Sequence, residues 1–335
     1  ALTSRAFYND TLGHYEKFVT ETFGFDKVLP MNTGAEAVET AIKLCRKWAY
    51  EKKGIEENQA IIVVCEGNFH GRTTTIISFS NDPDANKNFG PYTPGFIRIP
   101  YDDINALEEA LKQDNVAGFL VEPIQGEAGV YVPQDGYLST AKSLCEKYNT
   151  LFIADEVQTG IARTGKLLAV HHENVQPDIL ILGKALSGGV YPVSAVLAND
   201  EIMMVIKPGQ HGSTFGGNPI AAKVAIAALE VVQEEQLAKN ANELGEIFRK
   251  EMQRIIDSSD LILKVRGKGL LNAIIVNDTP ESKTAWNLCV KLKENGLLAK
   301  PTHGNIIRFA PPLVMTEEQL MECVAIIEMT IKSFK

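Results

Sequence analysis

The feature that most restricts how this chain can fold is a regular alternation, from about residue 32 to residue 198, of short apolar runs and helical patterns. The runs occupy 61–65, 116–121, 151–154, 179–182 and 193–197, and helical stretches at 35–52, 104–112 and 138–148 lie between them. A strand buried on both faces reads as a continuous apolar run, and strands alternating with helices build a mostly parallel sheet covered on both sides. The expected class is therefore α/β. Open sheets of this kind bind ligands beyond the carboxyl ends of their strands, so the polar residues standing at those ends carry the functional question.

At 335 residues the chain exceeds what one hydrophobic core usually supports, and two domains are expected. After Pro219 a long helical pattern runs over 220–256 with a break near 234–236, and the remainder reads β-β-α-β-α over 261–266, 271–276, 282–295, 306–309 and 317–334. The division is a large domain over 1–232 and, over 233–335, a connecting helix with a small α+β domain.

The formal net charge of −9 argues against partners that need a basic surface, nucleic acid and anionic membranes alike. No stretch of about 18 apolar residues free of charge suggests a membrane span, and the opening Ala1-Leu2-Thr3-Ser4-Arg5 has no apolar signal core. Cys45, Cys65, Cys145, Cys289 and Cys323 are odd in number and never in a C-x-x-C pair. Buried free thiols in a reducing compartment fit them better than disulfides or a zinc site, so no metal is expected.

Lys184 follows the run at 179–182 and leads into Gly188-Gly189. A lysine at a dry strand end loses its proton more easily, and its neutral amine can condense with an aldehyde. Taken by itself, a surface lysine that happens to follow a strand is the commoner reading. Asp155 ends the run before it, where a carboxylate can pair with a protonated pyridine nitrogen and make the ring an electron sink. The alternative is a metal-binding or capping carboxylate; a Walker-type ATPase is set aside because no G-x-x-x-x-G-K-[ST] occurs. Thr33, Gly34 and Ala35 open a helix whose backbone N–H groups and dipole suit a phosphate, although any capped helix looks the same. Ser213 and Thr214 add hydroxyl donors, and Phe69 could stack on a cofactor ring or simply fill the core.

These pieces stand together and in order. With Ser4-Arg-Ala-Phe-Tyr-Asn9, Met31-Asn-Thr-Gly-Ala-Glu36, Gly67-Asn-Phe-His-Gly-Arg72, Val121-Glu-Pro-Ile-Gln-Gly-Glu-Ala-Gly129, Ile153-Ala-Asp-Glu-Val-Gln158, Gly183-Lys-Ala-Leu-Ser-Gly-Gly189 and Pro301-Thr-His-Gly-Asn-Ile-Ile-Arg308, the chain resembles the class III (ω-) aminotransferases of the fold-type I pyridoxal-phosphate enzymes. The likeness is greatest to the members acting on ornithine.

The resemblance implies pyridoxal 5′-phosphate as cofactor, held as a Schiff base on Lys184, which also shuttles the substrate proton. It implies Asp155 on the ring nitrogen, Gln158 on the ring hydroxyl, and Phe69 and Val157 on the two ring faces, with His70 in the pocket wall where some relatives carry Trp. Thr33, Gly34, Ala35 and Ser213 fall at the phosphate, and Thr214 at the phosphate of the neighbouring subunit of a homodimer or larger assembly. Substrate recognition falls to Arg72, Glu127 and Arg308, with Glu127 covering Arg308 while ornithine is bound and releasing it for the second carboxylate of 2-oxoglutarate. The alternative for that pair is a structural ion pair between the two domains.

The implied reaction passes the δ-amino group of L-ornithine to 2-oxoglutarate, giving glutamate 5-semialdehyde and L-glutamate. Acetylornithine or 4-aminobutyrate as donor, a pyridoxal-phosphate aminomutase and a non-catalytic interaction protein are the competing readings, the last disfavoured by the presence of both Lys184 and Asp155. The resemblance also places part of the family's small domain, with tyrosines that touch substrate, upstream of Ala1. The compartment implied is the cytoplasm, or the mitochondrial matrix in a eukaryote.

Overall fold

The structure is a computed structural model that describes residues 7–334. The opening Ala1–Arg5 and the first half of the Ser4–Asn9 motif lie outside the described residues. The chain divides into two compact units. The first comprises the described residues up to Pro123 with Pro133–Gly160 and Val170–Val231; the second comprises Ile124–Val132, Ile161–Ala169 and the chain from Val232 onward. Two short loops from the first two-thirds of the sequence thus cluster with the C-terminal unit.

The first unit is built on seven strands: β1 (Lys27–Met31), β2 (Ile61–Cys65), β3 (Phe96–Ile99), β4 (Val116–Val121), β5 (Leu151–Asp155), β6 (Ile179–Leu182) and β7 (Ser194–Ala198). They lie in the order β1-β7-β6-β5-β4-β2-β3. The pairs from β3 through β6 are parallel, whereas β7 runs antiparallel to both β6 and β1. The physical reason is the length of the connection. A parallel partner for β6 would need a crossover of a dozen or more residues, and only 183–193 separate the two strands. Two strands absent from the sequence expectation, β1 and β3, are the sheet edges. β1 carries Pro30, which an edge strand tolerates because one side of its backbone needs no partner.

The helices of this unit are α1 (Asp10–Phe23), α2 (Gly34–Trp48), α3 (Pro83–Asn86), α4 (Ile104–Leu111), α5 (Tyr137–Lys147), α6 (Asp200–Met203) and α7 (Pro219–Glu234). Helix α2 lays Ala37, Val38, Ala41, Ile42, Leu44 and Cys45 on the sheet, and all six are essentially inaccessible to solvent. The approach is close: a Cβ at Gly118 of β4 would stand 2.6 Å from Cys45 Sγ, so only glycine fits there. Beyond Trp48 the expected helix continues as one π-turn, Ala49–Lys53, and Gly54 ends it with a left-handed φ of 81°.

The second unit contains α8 (Leu237–Ile256), α9 (Thr284–Glu294) and α10 (Glu317–Ser333) with a four-stranded sheet of β8 (Ile262–Lys268), β9 (Leu271–Val276), β10 (Lys300–Pro301) and β11 (Ile306–Phe309), in the order β10-β11-β9-β8. Leu244, Phe248, Met252, Leu288, Ile307, Leu320 and Ile327 are among the side chains of its core. The break between α7 and α8 falls at the position read from sequence, with Gln236 in the left-handed region at φ 51°. Among the described residues no helix is long and apolar enough to cross a membrane, and no group of His, Cys, Asp and Glu is placed to hold a metal.

Candidate functional site

In the first unit the expected residues gather at the carboxyl ends of β4, β5 and β6. Asp155 is the last residue of β5 and lies in register with Ile181 of β6, so the two strand ends stand side by side. Lys184 follows β6 after Gly183 and begins a single 3-10 turn, Lys184–Ser187; it is exposed, not buried at a dry strand end as the sequence led us to expect. Its φ of 41° is left-handed, a costly conformation for a lysine and of the kind that collects at functional sites. Gly183 allows the chain to pass close by, since a Cβ there would meet Val157 Cγ1 at 3.2 Å.

Asp155 is 4% exposed and each of its oxygens already holds one donor. The backbone N–H of Val157 donates to Oδ1 at 3.0 Å, and His70 Nδ1 sits 2.6 Å from Oδ2. His70, expected in the wall of the cofactor pocket, turns Nδ1 to the Asp155 carboxylate. Burial works to lower the pKa of His70, but the hydrogen bond and charge of Asp155, with the charge of Glu122, outweigh it and leave the value raised.

Glu122, buried just past β4, accepts the backbone N–H of Phe69 at 2.8 Å and so anchors the loop that carries Phe69, His70 and Arg72. It was not singled out from the sequence, although it follows an apolar run just as Asp155 does. Phe69 is half-buried, and the guanidinium carbon of the exposed Arg72 stands 5.9 Å from its ring centre. Gly71 brings the loop against the start of α2, where a Cβ on it would meet Ala35 Cβ at 2.9 Å.

Thr33 caps α2 by accepting the N–H of Glu36 at 3.2 Å, and the Glu36 carboxylate reaches back to the Thr33 N–H at 2.9 Å. The N–H groups of Gly34 and Ala35 belong to the first turn, which has no acceptors inside the helix. Gly34 also lies against Val157, since a Cβ on it would stand 2.9 Å from Val157 Cγ1. Val157 therefore packs beside both glycines, and Gln158 next to it is half-buried. Ser194 at the start of β7 donates to Thr33 O at 2.7 Å, tying the helix start to the sheet; this contact too was missed from sequence. Ser213 is drawn to the same place by Asn32 Nδ2, 2.7 Å from its hydroxyl, while Thr214 and Phe215 beside it are exposed. The loop closes on β1 so tightly that a Cβ at Gly216 would meet Pro30 O at 2.3 Å.

The second unit holds the remaining pair. Arg308 on β11 donates from Nη1 to Glu127 Oε1 at 2.7 Å, with side chains 17% and 28% exposed. Both partners belong to this unit, so the pair is not a bridge between the two units. Thr302 donates its hydroxyl to Glu127 O at 2.7 Å, and Arg266 holds Gly129 O by Nε and Nη2 at 2.9 and 2.7 Å. Arg266 also lies 3.7 Å over the ring of Tyr131. Gly129 is required where it stands, because a Cβ would meet Ile306 Cδ1 at 2.6 Å. The Glu127 loop is thus fastened at both ends, with the ion pair between.

The family model described as "Aminotransferase class-III" matches residues 1–331. The mitochondrial ornithine aminotransferase of Drosophila melanogaster is 63% identical over 333 residues, which cover 99% of this chain and 76% of that protein. A crystal structure titled as an acetylornithine aminotransferase from Elizabethkingia anophelis is 73% identical, with a TM-score of 0.92 over 100% of this chain and 82% of its own. The ornithine aminotransferase of Toxoplasma gondii ME49 superposes with a TM-score of 0.97 at 52% identity, covering 99% of this chain and 79% of its own.

Proposed function

This chain belongs to the class-III aminotransferases, and from that premise we propose that it is an ornithine δ-aminotransferase, passing the δ-amino group of L-ornithine to 2-oxoglutarate with pyridoxal 5′-phosphate as cofactor. The residues of the first unit fit that group. They comprise the Asp155 carboxylate at a strand end, the N–H groups of a glycine-opened helix start, and the apolar Val157 beside Gly34 and Gly183. When bound, pyridoxal phosphate supplies the carbon that holds the transferred amine and an electron sink for the pair left when the substrate loses a proton.

In this reading the Lys184 amine would hold the cofactor and, once released, would carry the proton between the substrate carbon and the cofactor. Asp155 would pair with the ring nitrogen, Gln158 with the ring hydroxyl, and Phe69 and Val157 would shield the ring from water. Thr33, Gly34, Ala35 and Ser213 bind the phosphate. Thr214 serves the phosphate of a second subunit. That role requires a homodimer. The mitochondrial names of the fly and rat relatives support the mitochondrial matrix as the compartment if the source is eukaryotic, and the cytoplasm otherwise.

The observation that carries the substrate reading is the Glu127–Arg308 pair. L-Ornithine has one carboxylate and 2-oxoglutarate two, so an enzyme using both needs a second cation that is covered in one half-reaction and uncovered in the other. Arg308 answers to that need, covered by Glu127 at 2.7 Å, and Arg72 takes the carboxylate common to both substrates. The 73% identity to a structure titled acetylornithine aminotransferase supports a second reading, in which the α-nitrogen of the donor is acetylated. Mixing the holoenzyme separately with L-ornithine, N-acetylornithine and 4-aminobutyrate, and following the cofactor absorbance, decides between them. The ornithine reading expects the fastest conversion with L-ornithine. A faster conversion with N-acetylornithine would replace it, and a silent spectrum with all three would remove the aminotransferase reading.

A further inference from the structure

We infer that His211 is a positioning residue for the reaction proposed above: it locks the 211–217 loop to helix α2 and so fixes Thr214, in the middle of that loop, for the cofactor phosphate of the second subunit. The phosphate role rests on the aminotransferase reading, whereas the lock itself is a property of the chain.

Helix α2 offers the loop a stripe of three residues. Glu36, Thr40 and Lys43 stand at i, i+4 and i+7, which is one face of a helix. His211 meets the last two, with Nε2 2.8 Å from Thr40 Oγ1 and Nδ1 2.9 Å from Lys43 Nζ. Counting donors fixes the ring. The Thr40 hydroxyl has one hydrogen and gives it to Glu36 O at 2.7 Å, so toward His211 its oxygen can only accept, and Nε2 carries the hydrogen. The Lys43 ammonium can only donate, so Nδ1 is the acceptor. The imidazole is therefore neutral and in the Nε2–H tautomer. Thr40 is fully buried, which keeps water from competing for that half of the contact, while Lys43 closes the other half from the exposed side.

The far half of the loop has fastenings of its own. Glu36 Oε1 accepts from Asn32 Nδ2 at 3.3 Å, and the same amide nitrogen donates to Ser213 Oγ. Ser213 Oγ also accepts the Gly216 N–H at 3.2 Å, which closes the turn around Thr214 and Phe215. Gly217 then leaves with a left-handed φ of 75°, where a Cβ would meet Leu12 Cδ1 and Pro30 Cγ at 2.9 Å. These contacts secure 213–217 against β1 and the start of α2, and His211 secures the entry to the loop farther along the same helix. Thr214 is exposed between the two fastenings, so they aim its hydroxyl. A donor pinned on both sides has less orientational freedom to lose when it meets an anion. In this reading the helix whose first turn takes the phosphate of its own subunit also aims, from Thr40 and Lys43, the hydroxyl that serves the other.

The test uses His211→Leu, which removes both contacts, and His211→Gln, whose amide can donate to Thr40 and accept from Lys43 together. The nitrogen-15 NMR spectrum of the wild type should show a histidine of the Nε2–H tautomer that disappears in His211→Leu, with or without cofactor. A cationic ring or the opposite tautomer at neutral pH overturns the inference. In the holoenzyme His211→Leu should raise the dissociation constant of pyridoxal phosphate by roughly tenfold, the usual net worth of a hydrogen bond, and shift the phosphorus-31 resonance of the bound phosphate, with a smaller effect on turnover at saturating cofactor. His211→Gln should recover most of that loss. In a Thr214→Val background His211→Leu should cost much less, because the group it aims is gone. A folded His211→Leu with wild-type cofactor affinity overturns the inference, as does an undiminished loss in the Thr214→Val background, which would make His211 a general fastening of the fold. A wild type with the expected tautomer that binds no pyridoxal phosphate would sink the functional reading and leave the lock intact.

Discussion

Replacing Glu127 with alanine removes the cover from Arg308, and the size of the effect can be worked from the contact. Two unit charges about 4 Å apart attract by about 4 kcal/mol at an effective dielectric of about 20. The glutamate side chain is 28% exposed and the arginine 17%, so water and desolvation take back a large part. What remains is about 1.5–3 kcal/mol, the usual worth of a hydrogen bond between charged groups. Glu127→Ala should therefore raise the specificity constant for L-glutamate over that for L-ornithine, in the half-reaction that loads the amine, by roughly tenfold to a hundredfold. The assay is stopped-flow absorbance of the holoenzyme against each donor separately, with thermal melting as a check on the fold. Arg308→Lys should blunt the gain, since an ammonium cannot reproduce the forked contact. An unchanged preference in a folded Glu127→Ala protein would refute the reasoning and reduce the pair to a strut within the second unit.

Three further outcomes are expected. Lys184→Ala should abolish turnover while leaving the melting temperature close to wild type, because the side chain is exposed; turnover near wild type would remove Lys184 from its role. Gly118→Ala should destabilise the first unit by about 1–3 kcal/mol in denaturant titration, because its methyl would meet Cys45 Sγ at 2.6 Å, and Cys45→Ala in the same chain should recover much of the loss. Thiol labelling of the native protein should be slow at Cys45 and Cys65, where burial pushes the thiols up to about 12, and fastest at the partly exposed Cys323; rapid reaction at either buried thiol would contradict the packing of α2 on the sheet.

Much of the site was legible because its residues sit where local rules put them. Asp155 and Lys184 stand at the ends of strands that read as apolar runs, and Thr33 with Glu36 forms a capping box that a four-residue pattern announces. Glu122 obeys the same strand-end rule, and its partner, the Phe69 N–H, lies 53 residues away. Ser194 and Thr302 gave no local signal at all: each donates one hydrogen bond to a backbone carbonyl more than a hundred residues away.

What the sequence determined by itself was therefore the inventory of elements and the chemistry at their ends. Hydrophobic period, caps and the left-handed break at Gln236 act within a few residues, and their free energies need no knowledge of the rest of the chain. Tertiary structure alone decided which elements became neighbours. It turned β7 antiparallel, set Pro30 on an edge, gathered the Glu127 loop into the unit that carries Arg308, and brought His70 onto Asp155 across 85 positions of sequence. Those choices depend on loop lengths and on burial summed over many distant side chains, and no window of sequence contains that sum.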